Sequence, residues 1–196
     1  MKLIVARHGE TLMNQQRKFY GSLNVVLDKV GQQQAQLLAE KVLPLKPTLL
    51  VQTNLRRTQQ TLVPLRQSLP QVPVLTLPDL AEKGFGRWEG LDANQIQAQD
   101  PDHWQRWLAA PLTYTPPSVE PFHDFETRVD RGLKWLKQHA VATEVIFLVA
   151  HLGTLRVIDQ LLLQDQTYFY DRQFQSACYT LYEWDARQVP LVVRNQ

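Results

Sequence analysis

Two short apolar runs that each stop at a histidine constrain this chain more than any other feature. Leu3-Ile-Val-Ala6 ends at Arg7-His8-Gly9, and Val145-Ile-Phe-Leu-Val-Ala150 ends at His151. Uninterrupted apolar runs of this length read as strands buried on both faces. Polar side chains that follow such strands face the crevice at their carboxyl ends, where open α/β sheets bind ligands. If the two strands are neighbours in a parallel sheet, the two imidazoles converge on one edge.

The rest of the chain supplies the layers such a sheet needs. Asp28 is expected to cap a helix from about Lys29 to Val42, with Ala35, Leu38 and Val42 on one face. Thr48–Gln52 reads as a second buried strand. Thr53-Asn54 is expected to cap a helix from about Leu55 to Leu69, which Pro64 is expected to kink or split. Val74–Leu77 is a third strand, and 79–90 a loop punctuated by glycines. Residues 92–110 read as two short helices parted near Pro101. The proline-rich stretch 111–121 is an irregular loop. Phe125, Val129, Leu133 and Leu136 mark one face of a long helix over Phe122–His139. Glu144–Ala150 is the central strand, followed by a helix that runs to about Leu163. Cys178–Trp184 and Val189–Arg194 read as two edge strands joined by a turn. Strands alternating with helices predict an α/β three-layer α/β/α sandwich on a mostly parallel sheet. With no repeat or linker, residues 1–196 read as one domain, and residues about 79–121 as a lid-like insertion over the site.

Composition excludes several function classes. Lys and Arg number 21 against 19 Asp and Glu, a formal net charge of +2. That near balance gives no case for a nucleic-acid or membrane surface. The lone Cys178 allows no internal disulfide, so a reducing, cytoplasmic setting is expected. The apolar run before Arg7 is too short for a signal-peptide core, and no stretch has the length of a membrane span.

The residues at the predicted sheet edge suit phosphate chemistry. Arginine's planar fork of donors matches phosphate oxygens, histidine is a competent nucleophile near neutral pH, and glycine lets a ligand approach the backbone. The second strand leads into Arg56-Arg57, of which one is expected to aim at the crevice and the other at solvent. The third strand leads into a loop with two candidate acids, Glu82 and Glu89, between which residue chemistry alone does not choose.

In sequence order, Arg7-His8-Gly9-Glu10-Thr11 with Asn14, Thr53-Asn54-Leu55-Arg56-Arg57-Thr58, Leu80-Ala81-Glu82-Lys83-Gly84-Phe85-Gly86-Arg87-Trp88-Glu89-Gly90 and Val149-Ala150-His151-Leu152-Gly153-Thr154-Leu155-Arg156 carry a resemblance. Together they resemble the motifs of the histidine phosphatase superfamily, the phosphoglycerate-mutase-like branch one. The resemblance implies a phosphomonoester hydrolase that needs no metal or other cofactor and works through a phosphohistidine on His8. It implies Arg7, Arg57 and a protonated His151 as holders of the phosphoryl oxygens, and Glu82 as proton donor, leaving Glu89 a structural role. Asn14, Gly21 and Leu152 join Arg7, Arg57, Glu82 and His151 as implied substrate-binding positions.

The chain departs from the family pattern in three places. Leu152 replaces a usual glycine and is expected to narrow the pocket, Thr53-Asn54 replaces a usual Ser-Asp, and Val119-Glu120-Pro121 replaces a usual Gly-Glu-Ser, which leaves Glu120 outside the expected site. The implied partner is a small phosphorylated metabolite, with a homodimer left open. Compact length, together with Phe174 and Cys178-Tyr179 in the tail, looks most like alpha-ribazole phosphatases acting on alpha-ribazole 5′-phosphate. Mutase-type or sugar-bisphosphate phosphatase activity is the alternative within the family. A non-catalytic phospho-ligand binding module is the alternative from another class, disfavoured by the presence of both His8 and Glu82.

Overall fold

The first apolar run forms strand β1 (Lys2–Arg7) and the later one β4 (Val145–Ala150). They are seen in a computed structural model that describes residues 2–139, 145–184, 190–194 and 196. Glu144 and Val189, expected at strand ends, and the turn expected between the last two strands lie outside the described residues. β1 and β4 pair in parallel, from Lys2 opposite Val145 to Arg7 opposite Ala150. The amide of His8 extends the ladder by donating to the carbonyl of Ala150 at 3.0 Å. Both histidines therefore emerge side by side at one sheet edge, as the paired apolar runs required.

β2 (Leu49–Gln52) pairs with the other side of β4, and β3 (Val74–Thr76) pairs with β2, all in parallel. β5 (Tyr179–Trp184) and β6 (Pro190–Val193) are antiparallel additions. The order is β3-β2-β4-β1-β5-β6. β5 thus lies between β1 and β6 and is not an edge strand; β3 and β6 are the edges.

Alternation along β1 sorts its side chains into two cores. Ile4 and Ala6 pack with Leu38 and Val42 of α2 (Lys29–Val42) and with Leu62 and Leu65 of α3 (Arg56–Ser68). Leu3 and Val5 pack with Phe125, Val129, Leu133 and Leu136 of α6 (Phe122–His139) and Leu155 and Ile158 of α7 (Leu152–Leu163). Each such side chain contributes about 1.5–3 kcal/mol when fully buried. Because helices cover both faces, β1 and β4 have no polar face, which is why their sequences read as continuous apolar runs.

Helix starts follow local chemistry, with one correction. Asp28 caps α2 by accepting from Gly31 N–H. Asn54 does not cap α3: the helix begins at Arg56, its cap position is Leu55, and Asn24 Oδ1 accepts the Arg56 N–H at 2.7 Å instead. Thr53 turns inward and accepts from Leu55 N–H. Pro64 is accommodated within α3, which runs unbroken past it. A short helix that the sequence did not announce, α1 (Leu12–Gln15), follows β1 and is closed by a capping box between Thr11 and Asn14. Residues 92–110 form α4 (Ala93–Gln99) and α5 (Pro101–Ala109), parted at Pro101, which takes the first turn of α5. These helices pack Trp88, Ile96, Trp104 and Val119 into a third cluster, separate from the two sheet cores.

Candidate active site

His8 sits at the end of β1, 2% exposed, on the wall of a cavity of roughly 400 Å³. Its Nδ1 lies 2.7 Å from the carbonyl of Gly9. A carbonyl only accepts, so Nδ1 carries the proton and Nε2 is left as the lone-pair nitrogen. Burial, and then the charges of Arg57 and Arg7, hold the His8 pKa well below the ordinary histidine value and outweigh the opposing bond to Gly9.

Beneath the wall lie Arg57 and His151, both fully buried. Arg57 occupies the first turn of α3, and its Nε donates to His151 Nδ1 at 3.2 Å. Its Nη1 and Nη2 donate to the carbonyls of Leu23 and Gly21 at 2.8 and 2.7 Å. Since Arg57 must donate, His151 Nδ1 must accept, and His151 Nε2 carries the proton and donates to Thr53 Oγ1 at 3.0 Å. Burial, then Arg57, depress the His151 pKa well below the ordinary value. The protonated His151 expected from the sequence is therefore replaced by a neutral one with both nitrogens committed. Its ring centroid is 5.3 Å from that of His8. Adjacent Arg56, about 100° around the helix, is exposed.

Arg7 lines the cavity, and its Nε is buried without a hydrogen-bond partner among the described residues. Asn14, Gly21, Glu82 and Leu152 also line it. Asn14 accepts from Thr11 and donates through Nδ2 to the hydroxyl of Tyr20 at 2.7 Å. Tyr20 in turn stands 3.3 Å from His8 Nε2 and packs its ring 4.8 Å from the Arg57 guanidinium carbon. Asn14 thus reaches His8 through Tyr20, a residue the sequence alone does not single out. Nothing periodic marked it, only its place in a polar loop beside Gly21. A side chain on Gly21 would strike the carbonyl of Lys83, its added Cβ falling 2.1 Å away.

Glu82 sits where the loop after β3 meets the start of α7. Its carboxylate accepts from Gly153 N–H at 3.0 Å and from Lys83 N–H at 2.9 Å. An added Cβ on Gly153 would fall 2.4 Å from Glu82 Oε1, so glycine is what lets the helix start cradle the carboxylate. Glu89 points elsewhere, accepting from Ser22 N–H and Phe85 N–H. Glu120 does not line the cavity. It accepts from Gly84 N–H and from Arg128, whose guanidinium also donates to the carbonyls of Asp79, Ala81 and Glu82. This brace under the acid loop was invisible in the sequence, where Arg128 reads as a surface residue of α6. Lys83 is 8% exposed and lines the cavity; burial brings its pKa down to about 8 against the opposing pull of Glu120 and Glu82. Among the described residues, no group of three or more His, Cys, Asp or Glu side chains is placed to hold a metal ion. No helix among them is long and apolar enough to cross a membrane.

Aromatic rings also line the cavity: Phe85, Trp107, Phe122, Phe169 and Tyr170. Leu152, which stands in place of the usual glycine, is among the lining residues.

The family model described as histidine phosphatase superfamily (branch 1) matches residues 3–196. The alpha-ribazole phosphatase of Shigella flexneri superposes with a TM-score of 0.90 at 26% identity, over 100% of this chain and 96% of that one. The glucosyl-3-phosphoglycerate phosphatase of Mycobacterium tuberculosis is 31% identical over 176 residues, which is 83% of this chain and 75% of that protein. A bifunctional protein of the same organism is 31% identical over 164 residues, and there the match spans 44% of its length.

Proposed function

The chain belongs to the histidine phosphatase superfamily, branch 1, and is a phosphatase; from that footing we propose that it hydrolyses a small phosphomonoester through a phosphohistidine on His8, without a metal. The observation that carries this reading is His8 itself, on the cavity wall with Nδ1 committed to Gly9 and Nε2 unprotonated. In the first step Nε2 attacks phosphorus in line, the bond to the leaving oxygen breaks, and Glu82 protonates that oxygen. In the second step water attacks the phosphohistidine, Glu82 takes the water proton, and the P–N bond breaks to release phosphate.

Charge on the transferring group is met by fixed donors. Arg7 lines the cavity and has a buried Nε without a partner among the described residues. Arginine has five N–H donors; Arg57 uses three on His151, Leu23 and Gly21, and five minus three leaves two. His151 keeps Arg57 aligned and is itself neutral beside His8, so the charges that lower the His8 pKa are those of Arg57 and Arg7. Residues 79–121 act as a lid-like insertion that delivers Glu82 and part of the aromatic wall.

Alpha-ribazole 5′-phosphate is the substrate we favour, supported by the similarity to the Shigella enzyme and by an aromatic wall suited to a flat ring. A phosphorylated carboxylic acid, as in the mycobacterial glucosyl-3-phosphoglycerate phosphatase, is the second reading, and Lys83 on the same wall favours it. Mutase-type transfer would require the cavity to retain a bisphosphate. Steady-state hydrolysis of alpha-ribazole 5′-phosphate, glucosyl-3-phosphoglycerate and a sugar bisphosphate, compared by kcat/KM, tests the ranking. A kcat/KM for alpha-ribazole 5′-phosphate below that for either of the others would overturn it.

A further inference from the structure

Arg156 lies on α7, half-buried, five residues beyond His151 and on the cavity wall. Its guanidinium is held from one side only. Nε donates to the carbonyl of Arg172 at 2.9 Å and Nη2 to the carbonyl of Tyr170 at 3.0 Å. Nη1 has no hydrogen bond among the described residues. The guanidinium carbon stands 5.6 and 5.4 Å from the ring centroids of Phe169 and Tyr170, close enough for cation–π attraction. A planar donor fixed by two carbonyls and stacked beside two rings, with its third edge unpaired, is a recognition element held in one orientation.

What fixes it is a buried ionic clasp on the far side of the loop. Arg172, 3% exposed, donates Nη1 to the fully buried carboxylate of Asp159 at 2.6 Å and Nη2 to Asp165 at 2.5 Å and to the Thr167 carbonyl at 3.1 Å. Asp159 also accepts from the hydroxyl of Tyr182 on β5 and from Arg194. A buried pair of this kind is weak evidence for stability in itself and better evidence for a defined arrangement. Here the arrangement is that of residues 165–172, which carry Phe169, Tyr170 and both carbonyls that hold Arg156.

We propose that Arg156 recognises the leaving group, taking a hydrogen-bond acceptor on a flat, ring-bearing alcohol that lies against Phe169 and Tyr170, and that the Asp159–Arg172–Asp165 clasp is its positioning device. The inference rests on the phosphatase reading above and adds a residue-level basis for substrate choice. Arg156 touches the substrate's body and not the phosphoryl group, so its loss separates two affinities that removal of a phosphate-binding residue would weaken together.

The test uses hydrolysis of para-nitrophenyl phosphate as the reporter. It compares inhibition by orthovanadate, which has no leaving group, by glycerol 3-phosphate, which has no ring, and by adenosine 5′-monophosphate. The wild type should bind adenosine 5′-monophosphate more tightly than glycerol 3-phosphate. Arg156→Ala should weaken the nucleotide by about 10- to 100-fold, the range of one hydrogen bond to a charged group, while orthovanadate inhibition stays within about 2-fold. Asp165→Asn cuts the outer arm of the clasp with Asp159 still paired, and should shift the same ratio by about 2- to 5-fold. An orthovanadate loss parallel to the nucleotide loss, or an unchanged nucleotide constant in Arg156→Ala, would overturn the assignment. So would a wild type that does not prefer the nucleotide. An unchanged ratio in Asp165→Asn would overturn the positioning role. A wild type that neither turns over the reporter nor binds orthovanadate would sink the phosphatase reading instead, and this inference with it.

Discussion

The floor of the cavity and its outer wall are built differently. On the floor, polar groups form two hydrogen-bonded chains, Thr11 to Asn14 to Tyr20 to His8, and Gly21 and Leu23 to Arg57 to His151 to Thr53, which meet where the Arg57 guanidinium packs on the Tyr20 ring. His8, His151 and Arg57 are anchored on the ends of β1 and β4 and the start of α3, and Tyr20, Gly21 and Leu23 join them from the loop after α1. The outer wall is made of rings from loops, short helices and the start of α6, Phe85, Trp107, Phe122, Phe169 and Tyr170, with Lys83 and Arg156 as charged groups among them. The contrast teaches a division of labour. In the mechanism proposed above, the floor fixes protonation states and phosphoryl geometry, whereas the wall sets which alcohol is accepted.

The floor should show a large effect on every substrate. Arg57→Ala should lower kcat by about 10²- to 10³-fold, as removal of a charge-stabilising donor does, because it also releases the proton arrangement of His151. Arg56→Ala, on the exposed side of α3, should stay within about 2-fold in the same assay. Comparable losses at both positions would mean that the floor does not depend on the buried guanidinium.

Between floor and wall stands Glu82. Glu82→Gln should slow an alkyl phosphate, whose leaving oxygen needs a proton, by about 10²- to 10⁴-fold. It should slow phosphoryl transfer from para-nitrophenyl phosphate far less, measured as a larger burst before steady state. Gly153→Ala should reproduce the same substrate pattern at smaller size, since its methyl group would displace the Glu82 carboxylate. Glu89→Gln should show neither signature, because Glu89 ties Ser22 to Phe85 away from the acid.

How much of this was legible in the sequence follows the same division. The floor could be read because buried parallel strands are continuous apolar runs, and residues just beyond their ends must face the crevice; His8, His151 and Arg57 were placed by that logic and by their motifs. The protonation of His151 was misread because it depends on a cross-chain contact, Arg57 Nε to His151 Nδ1, that no local pattern encodes. The cap of α3 was misread for a similar reason: Thr53 was drawn inward by His151 and Thr58, and distant Asn24 took over the cap. Tyr20, Arg128 and the Asp159–Arg172 clasp lie in segments whose partners are far away in sequence, so their roles appear only once the chain is folded.

A smaller effect sharpens the view of the floor as a site whose two histidines stay neutral. The His8 pKa is depressed, so the acid limb of kcat/KM should lie below pH 6.5, once the substrate's own second ionisation near about 6 is allowed for. The same depression makes stability pH-dependent. The unfolded chain binds protons on His8 and His151 at about pH 6.5 and the folded chain does not, so stability is fully present above that value and is lost as pH falls toward the folded pKa values. Thermal melts at pH 7 and pH 5 should show the loss, and it should shrink in His151→Gln. A pH-independent difference between wild type and variant would show that His151 is not held neutral.

The wall should give the smallest effect on chemistry. Phe122→Ala should raise KM for a ring-bearing phosphate by several-fold, about the worth of one aromatic contact, with kcat nearly unchanged. A kcat loss as large as that of Arg57→Ala would erase the distinction between the two halves.

The most direct test of the central claim is rapid acid quench of the wild type with substrate labelled in the phosphoryl group, followed by peptide mapping. Base-stable, acid-labile label on the peptide that contains His8, and its absence in His8→Ala that still melts cooperatively, is the expected result. Full turnover with no trapped label at any time, or label that persists in His8→Ala, would contradict it.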